Sequence, residues 1–371
     1  MVDICIVSPQ LYWYFDPHSG WPSGGSERQQ SMISRELAAR GHDVSAIVAD
    51  YGQDDIVVHD GVTFVKEVPD VAEGAVSKMN ATYNLSQAMV SREADIYVVR
   101  GAPLLSMATY VLASIYGKKF IFHLANDTDV DPNHLRSKYT SLFLPFYRIM
   151  LRSGFVLSQT KRQKQLLRER FGVESKWTPN GYHLPEPSEV LPAERRNHVL
   201  WVGSSAPDRK NPRRFLQLAG ELPDLDFTMI SQPIPGKESF HQALEEEARE
   251  VTNLDFLGPV APNEVHEHYR TALMLVNTSS NEGFPNTFLE AWRYETPIAS
   301  LHFDLDGLLS DENGGIRAGT MENLVSSVRR LATDGARRAA LGADGRSYMK
   351  NNYSLSRVVD LYEEAFQDVL G

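Results

Sequence analysis

Residues 282–290 read Glu-Gly-Phe-Pro-Asn-Thr-Phe-Leu-Glu, and the reading of this stretch decides the fold. Before it, Leu273-Met274-Leu275-Val276 is an apolar run suited to a buried strand. After it, Asn286 to Tyr294 holds no helix breaker and reads as a helix. Pro285 suits the first helical position, where its missing N–H costs nothing. A helix starting there aims unpaired backbone N–H groups and a positive dipole end at the loop, which favours a phosphate. Glu282 falls in that loop and Glu290 one to two turns into the helix. One carboxylate can reach a sugar and the other the ribose of a nucleotide. A surface turn followed by an ordinary amphipathic helix is the alternative that the spacing leaves open.

Outward from this stretch, short apolar runs alternate with helical periodicity. Strands are expected at 3–8, 43–49, 62–66, 95–99, 119–123 and 154–158, then at 198–203, 226–231, 254–257, 273–277 and 297–301. Between them, segments such as 27–40, 104–115, 160–171, 211–220 and 239–251 repeat at 3.6 residues. That alternation predicts parallel sheets covered by helices. Ser26-x-x-Gln29 reads as a capping box for the first helix, and Gly41 as its stop. Residues 180–197 hold Asn180-Gly181, Pro185, Pro187 and Pro192 without apolar periodicity, and read as a domain boundary.

A chain of 371 residues suits two domains of about 180 residues each. The single cysteine, Cys5, permits no intrachain disulfide and fits a reducing compartment. No stretch reaches roughly 20 uninterrupted apolar residues, so no membrane span is expected. Met1-Val2-Asp3-Ile4 enters a strand directly and leaves no room for a signal peptide, so the expectation is cytoplasmic. Residues 1–180 carry 19 basic and 19 acidic side chains, so the whole net charge of −11 falls on the remainder. Nucleic acid is therefore not an expected partner. Within the neutral half, residues 132–170 hold nine cations against Glu169 alone, mixed with Leu142, Phe143, Leu144, Phe146, Tyr147, Ile149, Met150 and Leu151. Either this segment docks on an anionic membrane surface, at its inner face, or its apolar residues face the core beneath a solvated basic face.

The stretch 282–290 resembles the Glu-x7-Glu signature of the retaining glycosyltransferase family 4, whose fold is GT-B. Further landmarks resemble the family in its order along the chain. Ser23-Gly24-Gly25-Ser26-Glu27-Arg28 resembles the Gly-Gly-x-Glu-Arg entry to the first helix. His123, after Phe120-Ile121-Phe122, resembles the N-domain histidine. Pro179-Asn180-Gly181-Tyr182 resembles the hinge, and Gly203 with Lys210 the diphosphate-binding element. The resemblance implies an α/β chain of two Rossmann-like domains with parallel sheets facing across a cleft. Residues 1–183 would bind the acceptor, 184–197 would be a hinge or linker, and 198–354 would bind the nucleotide sugar. A last helix, 355–371, would cross back to the first domain. It implies transfer of a sugar, with retained configuration and no metal cofactor, from a UDP- or GDP-sugar to a glycan or lipid-linked acceptor.

The resemblance carries roles onto matching residues. Glu282 would hold a sugar hydroxyl, Glu290 the ribose, and Lys210 the leaving diphosphate. Gly24, Gly25, Gly203, Gly283, Phe284, Pro285, Asn286 and Thr287 would line the donor pocket. His123 would bond a hydroxyl of the transferred sugar; outside the resemblance, a lone histidine is a core residue. Asp127 would meet the acceptor. The family often has arginine after the glycine where this chain has Ser204, so Arg209 is the candidate second cation. Fixed cations stabilise the charge that builds on a departing diphosphate. Tyr12, Trp13 and Trp21 belong to an aromatic loop that either stacks on the acceptor or packs on itself.

Other chemistries leave weaker traces. Asp304-x-Asp306 resembles the metal-binding motif of the GT-A fold, but it follows the nucleotide landmarks. Asp50 ends the second strand, as a dinucleotide dehydrogenase would require, yet the double glycine comes about sixteen residues after the first strand, too late for that fingerprint. A sugar phosphorylase or epimerase of the same fold and a non-catalytic nucleotide-sugar-binding module remain as alternatives. Glu295-Thr296-Pro297 stands where the family has Gly-x-Pro, and the sequence gives no reason for the glutamate.

Overall fold

The computed structural model describes residues 1–16, 25–68, 75–280, 282 and 284–371, with side chains except at 67, 68, 75–80, 262 and 263. Gly24, Trp21 and Gly283 lie outside the described residues. The chain divides into two units, Met1–Gly181 with Leu355–Gly371, and Tyr182–Ser354.

In the first unit the strands are β1 (Asp3–Val7), β2 (Asp43–Ala49), β3 (Ile56–His59), β4 (Val62–Val68), β5 (Ile96–Arg100), β6 (Lys119–His123), β7 (Phe155–Ser158) and β8 (Lys176–Trp177). Their order in the sheet is β3-β4-β2-β1-β5-β6-β7-β8. Only the β3–β4 pair is antiparallel among the described pairings. The inner strands are nearly continuous apolar runs because helices cover both faces of the sheet. The helices are α1 (Gly25–Ala39), α2 (Ala75–Arg92), α3 (Pro103–Ile115), α4 (Pro132–Lys138), α5 (Phe143–Ser153) and α6 (Lys161–Phe171). One core lies on the side of α2, α3, α5 and α6, and the other under α1 and the last helix.

In the second unit the strands are β9 (His198–Ser204), β10 (Asp226–Gln232), β11 (Leu254–Gly258), β12 (Ala272–Asn277), β13 (Ile298–Ser300) and β14 (Gly315–Arg317). They form a parallel sheet ordered β11-β10-β9-β12-β13-β14. The helices are α7 (Pro212–Glu221), α8 (Glu238–Arg249), α9 (Pro262–Thr271), α10 (Asn286–Trp292), α11 (Met321–Thr333) and α12 (Gly335–Tyr353). α13 (Leu355–Leu370) returns to the first unit and packs on α1 through Val358, Val359, Tyr362 and Phe366.

Several expectations are corrected. β3, β8 and β14 are strands beyond those expected, and each is an edge strand of its sheet. α1 starts at Gly25, so Ser26 lies inside its first turn, and Gln29 Oε1 accepts the Gly181 N–H at 2.9 Å instead of closing a capping box. The stop at Gly41 holds: its φ is +88°, and His42 N–H returns to Leu37 O at 3.2 Å. Residues 184–197, expected as a hinge or linker, fall in the second unit and are bonded to it. Arg346 donates to Pro185 O and Arg338 to Ala193 O, while the buried Arg196 guanidinium donates to the carbonyls of Leu191, Tyr294 and Glu295, fastening the segment to the second unit.

Candidate functional site

The second sheet changes winding direction between β9 and β12, because β10 and β11 extend to one side of β9 while β13 and β14 extend beyond β12. Open α/β sheets bind ligands outside the carboxyl ends of the strands at such a reversal. The two loops that leave β9 and β12 are laced together there. Ser280 N–H donates to Arg209 O at 2.9 Å, Thr278 Oγ1 donates to Lys210 O at 2.7 Å, and Trp201 Nε1 donates to Thr278 Oγ1 at 2.9 Å. Gly203 has a packing reason of its own, since a Cβ there would stand 2.9 Å from the Trp201 ring.

That lacing brings three of the expected residues together. Glu282 is buried, and its Oε1 receives Lys210 Nζ at 2.5 Å and Ser279 Oγ at 2.6 Å. Arg209 Nη1 lies 3.5 Å from Glu282 Oε2. The carboxylate thus fixes Lys210, with the half-exposed Arg209 close by at the same point of the loop pair. Ser279 was not singled out by the sequence, because its role depends on the turn that folds it back onto Glu282.

α10 follows this loop. Pro285 stands one position before the helix, with φ −83° and ψ 80°, not at its first position as expected. Phe284 is buried against Tyr353, with ring centroids 5.7 Å apart. Asn286 and Thr287 open the helix and are partly exposed. Glu290 is buried one turn in, and Tyr182 donates its hydroxyl to Oε1 at 3.2 Å. Trp292 anchors the end of α10 by donating Nε1 to Gly314 O at 2.7 Å.

The candidates of the first unit fare differently. His123 ends β6 as expected but has no exposed surface. Its Nδ1 is bonded to the Tyr362 hydroxyl of α13 at 2.8 Å, and burial, then the Arg100 charge, hold its pKa well below the ordinary histidine value. With Gln30, Val98, Arg100 and Tyr362 it lines a cavity of about 20 Å³, room for one water. The expected sugar-facing histidine thus lies in the core of the first unit, at the wall of that cavity. Tyr12 is also core: it packs edge-on against Phe64, with its hydroxyl 3.4 Å from His59 Nε2. Trp13 rests against Tyr51 at 5.0 Å. Tyr12 is thus buried, whereas Trp13 is partly exposed. Asp127 pairs with Arg162 at 2.9 Å, and burial raises its pKa. Gly25 opens α1.

The other acidic candidates sit in local turns. Asp304 accepts the N–H groups of Leu309 and Ser310 at 2.8 and 2.9 Å, so it closes its own loop. No group of three or more metal-ligating side chains occurs among the described residues. Asp50 accepts the Gly52 N–H at 2.9 Å and lies near Lys66. Glu295 has φ +58°, the left-handed region, which is why glycine is the natural residue there.

The basic segment 132–170 splits. Phe143, Leu144, Tyr147, Met150 and Leu151 enter the core. Leu142, Phe146 and Ile149 are 70%, 59% and 52% exposed and fall at i, i+4 and i+7, one stripe at α5. α3, which packs against α5, adds the exposed Leu104, Val111 and Ile115. Arg148, Arg152, Lys161, Arg162, Lys164 and Arg168 are also exposed.

Two parallel-sheet α/β units, with two laced loops at the switch point of the second, have the architecture of the GT-B fold of glycosyltransferases. Residues 24–181 match the family described as glycosyl transferase 4-like domain and residues 196–334 the family described as glycosyl transferases group 1, which places the chain among the GT-B glycosyltransferases. It is 28% identical over 183 residues to the alpha-galactosylglucosyldiacylglycerol synthase of Streptococcus pneumoniae, a match that spans 47% of this chain and 47% of that relative. Among solved structures, sucrose-phosphate synthase from Thermosynechococcus elongatus is similar with a TM-score of 0.81 at 15% identity, covering 100% of this chain and 99% of that one. The Anabaena HepE complex with UDP-glucose gives a TM-score of 0.73 at 12% identity over 99% and 100% of the two chains. WaaG, a glycosyltransferase of lipopolysaccharide biosynthesis, gives 0.67 at 18% identity over 99% and 100%.

Proposed function

We propose that this chain transfers a sugar from a nucleoside-diphosphate sugar to an acceptor hydroxyl with retained anomeric configuration. The observation that carries the reading is the convergence of Arg209, Lys210 and Glu282 at the β9/β12 switch point, with Glu290 buried one turn into the following helix. In this reading the two cations stabilise the leaving diphosphate without a metal. Glu282, already bonded to Lys210, shares that ammonium with the phosphate and offers its free lone pairs to a sugar hydroxyl. Glu290 binds the ribose hydroxyls. The leaving diphosphate takes the acceptor proton on the same face, so no enzyme nucleophile is used. HepE is described with UDP and with UDP-glucose, which supports UDP as the first nucleotide to try, with GDP second.

The acceptor is proposed to be lipid-linked. The name of the pneumococcal relative denotes synthesis of a diacylglycerol glycolipid. The exposed apolar stripe of α5 and α3, together with the nine exposed cations of segment 132–170, fits an anionic membrane surface. No helix of the described residues is long and apolar enough to cross a membrane.

The test is a thermal-shift panel of UDP-, GDP-, ADP- and dTDP-sugars, followed by transfer assays, with Glu290→Ala as control. Stabilisation by one nucleotide series, lost in the variant, supports the donor site and names its base. No shift with any nucleotide sugar overturns the reading and favours a phosphorylase or a glycan-binding module.

A further inference from the structure

Tyr182 is the first residue of the second unit, and Ser354 the last. The two meet in a parallel bridge, with Tyr182 N–H donating to Tyr353 O at 3.1 Å. The Tyr182 side chain is buried, and its hydroxyl reaches the Glu290 carboxylate at 3.2 Å across 108 residues of sequence. Glu290 sits on a helix of only seven residues, pinned at its far end by the Trp292–Gly314 bond. A buried carboxylate must have its lone pairs satisfied, and one that grips a diol must also be held in a fixed orientation.

We propose that Tyr182 is a positioning residue for nucleotide recognition: its hydroxyl holds the Glu290 carboxylate in the rotamer that receives the two ribose hydroxyls. The inference rests on the reading that Glu290 binds ribose. Discrimination between ribose and a sugar without the diol then belongs to the Tyr182–Glu290 pair, not to Glu290 alone.

The test uses the full chain with UDP and GDP and the 2′,3′-dideoxy form of each, titrated calorimetrically against wild type, Tyr182→Phe and Glu290→Gln. Phenylalanine keeps the ring and removes only the hydroxyl. The ribonucleotide that binds wild type more tightly is expected to bind Tyr182→Phe roughly tenfold more weakly, the scale of a hydrogen bond to a charged group. Its dideoxy form is expected to bind wild type and Tyr182→Phe alike, because no diol remains to be held. Equal weakening of both forms indicates a packing role and overturns the proposal. Weakening by Glu290→Gln but not by Tyr182→Phe overturns the proposal and leaves the ribose reading standing. Unchanged binding in both variants, or no binding of either nucleotide to wild type, overturns the ribose reading and the inference with it.

Discussion

Lys210 Nζ lies 2.5 Å from Glu282 Oε1, although 72 residues separate the two in the chain. Both side chains are largely buried, and Ser279 Oγ and the Arg209 guanidinium complete the carboxylate's surroundings. Glu282 therefore holds Lys210 in place, and in the proposed reaction that cation needs no reorganisation as the diphosphate leaves.

Lys210→Met removes the cation and keeps the stem. Turnover is expected to fall by about 10²–10³-fold, the loss typical of one preorganised charge-stabilising contact. Stability of the second unit is expected to fall by about 3 kcal/mol, the low end for a broken buried pair, because Ser279 still donates to Glu282. Adding Glu282→Gln should cost less than the sum of the single changes. Chemical denaturation and steady-state kinetics of the three variants check this; additive losses would show that the pair is not coupled.

Glu295→Gly relieves a left-handed backbone at φ +58°. The side chain's ion pair to Arg346 is long, at 3.8 Å, and partly exposed, so little is lost with it. A gain of about 1 kcal/mol is expected, the scale of the left-handed penalty for a residue with a Cβ. Thermal unfolding measures it, and a lower midpoint would mean that the carboxylate has a partner beyond Arg346.

Stability should fall with acid through buried histidines. Burial, then the neighbouring His268, lower the His198 pKa to about 4. Below its ordinary value of 6.5, the unfolded chain takes up a proton that the folded unit refuses. The contribution is therefore complete above pH 6.5 and is lost as pH falls toward 4, at about 1.4 kcal/mol per pH unit. His123 acts in the same sense in the first unit. His198→Gln should flatten the dependence of the urea midpoint on pH between 6.5 and 4.5 for the second unit. An unchanged slope would show that His198 is protonated in the folded chain.

The exposed α5 stripe predicts flotation of the chain with vesicles rich in anionic phospholipid and little flotation with zwitterionic ones. Phe146→Ser with Ile149→Ser should abolish flotation at low salt while leaving the fold intact, since both side chains are exposed. Equal flotation of the variant would assign the binding to charge alone.

Local physics made much of this legible. The inner strands of both sheets are apolar over nearly their full length, and their flanking helices carry 3.6-residue periods, so the sequence itself reads as two parallel α/β units. β8 and β14 escaped because strands of two and three residues are too short to show a period. Asp304 falls too late in the chain for the metal motif it resembles, and only the structure shows the turn that its carboxylate closes.

The sequence by itself determined the alternation of elements, the loop–helix junction at 282–290 and the positions of its two carboxylates, because these depend on neighbours within a few turns. Only the tertiary structure decided who meets whom. The insertion of β9 beside β12 brings Lys210 to Glu282, the bridge at Tyr182 and Ser354 brings a hydroxyl to Glu290, and the return of α13 seals His123 beneath Tyr362. Strand order and chain crossings are set by burial summed over a whole unit, and no local period records that sum.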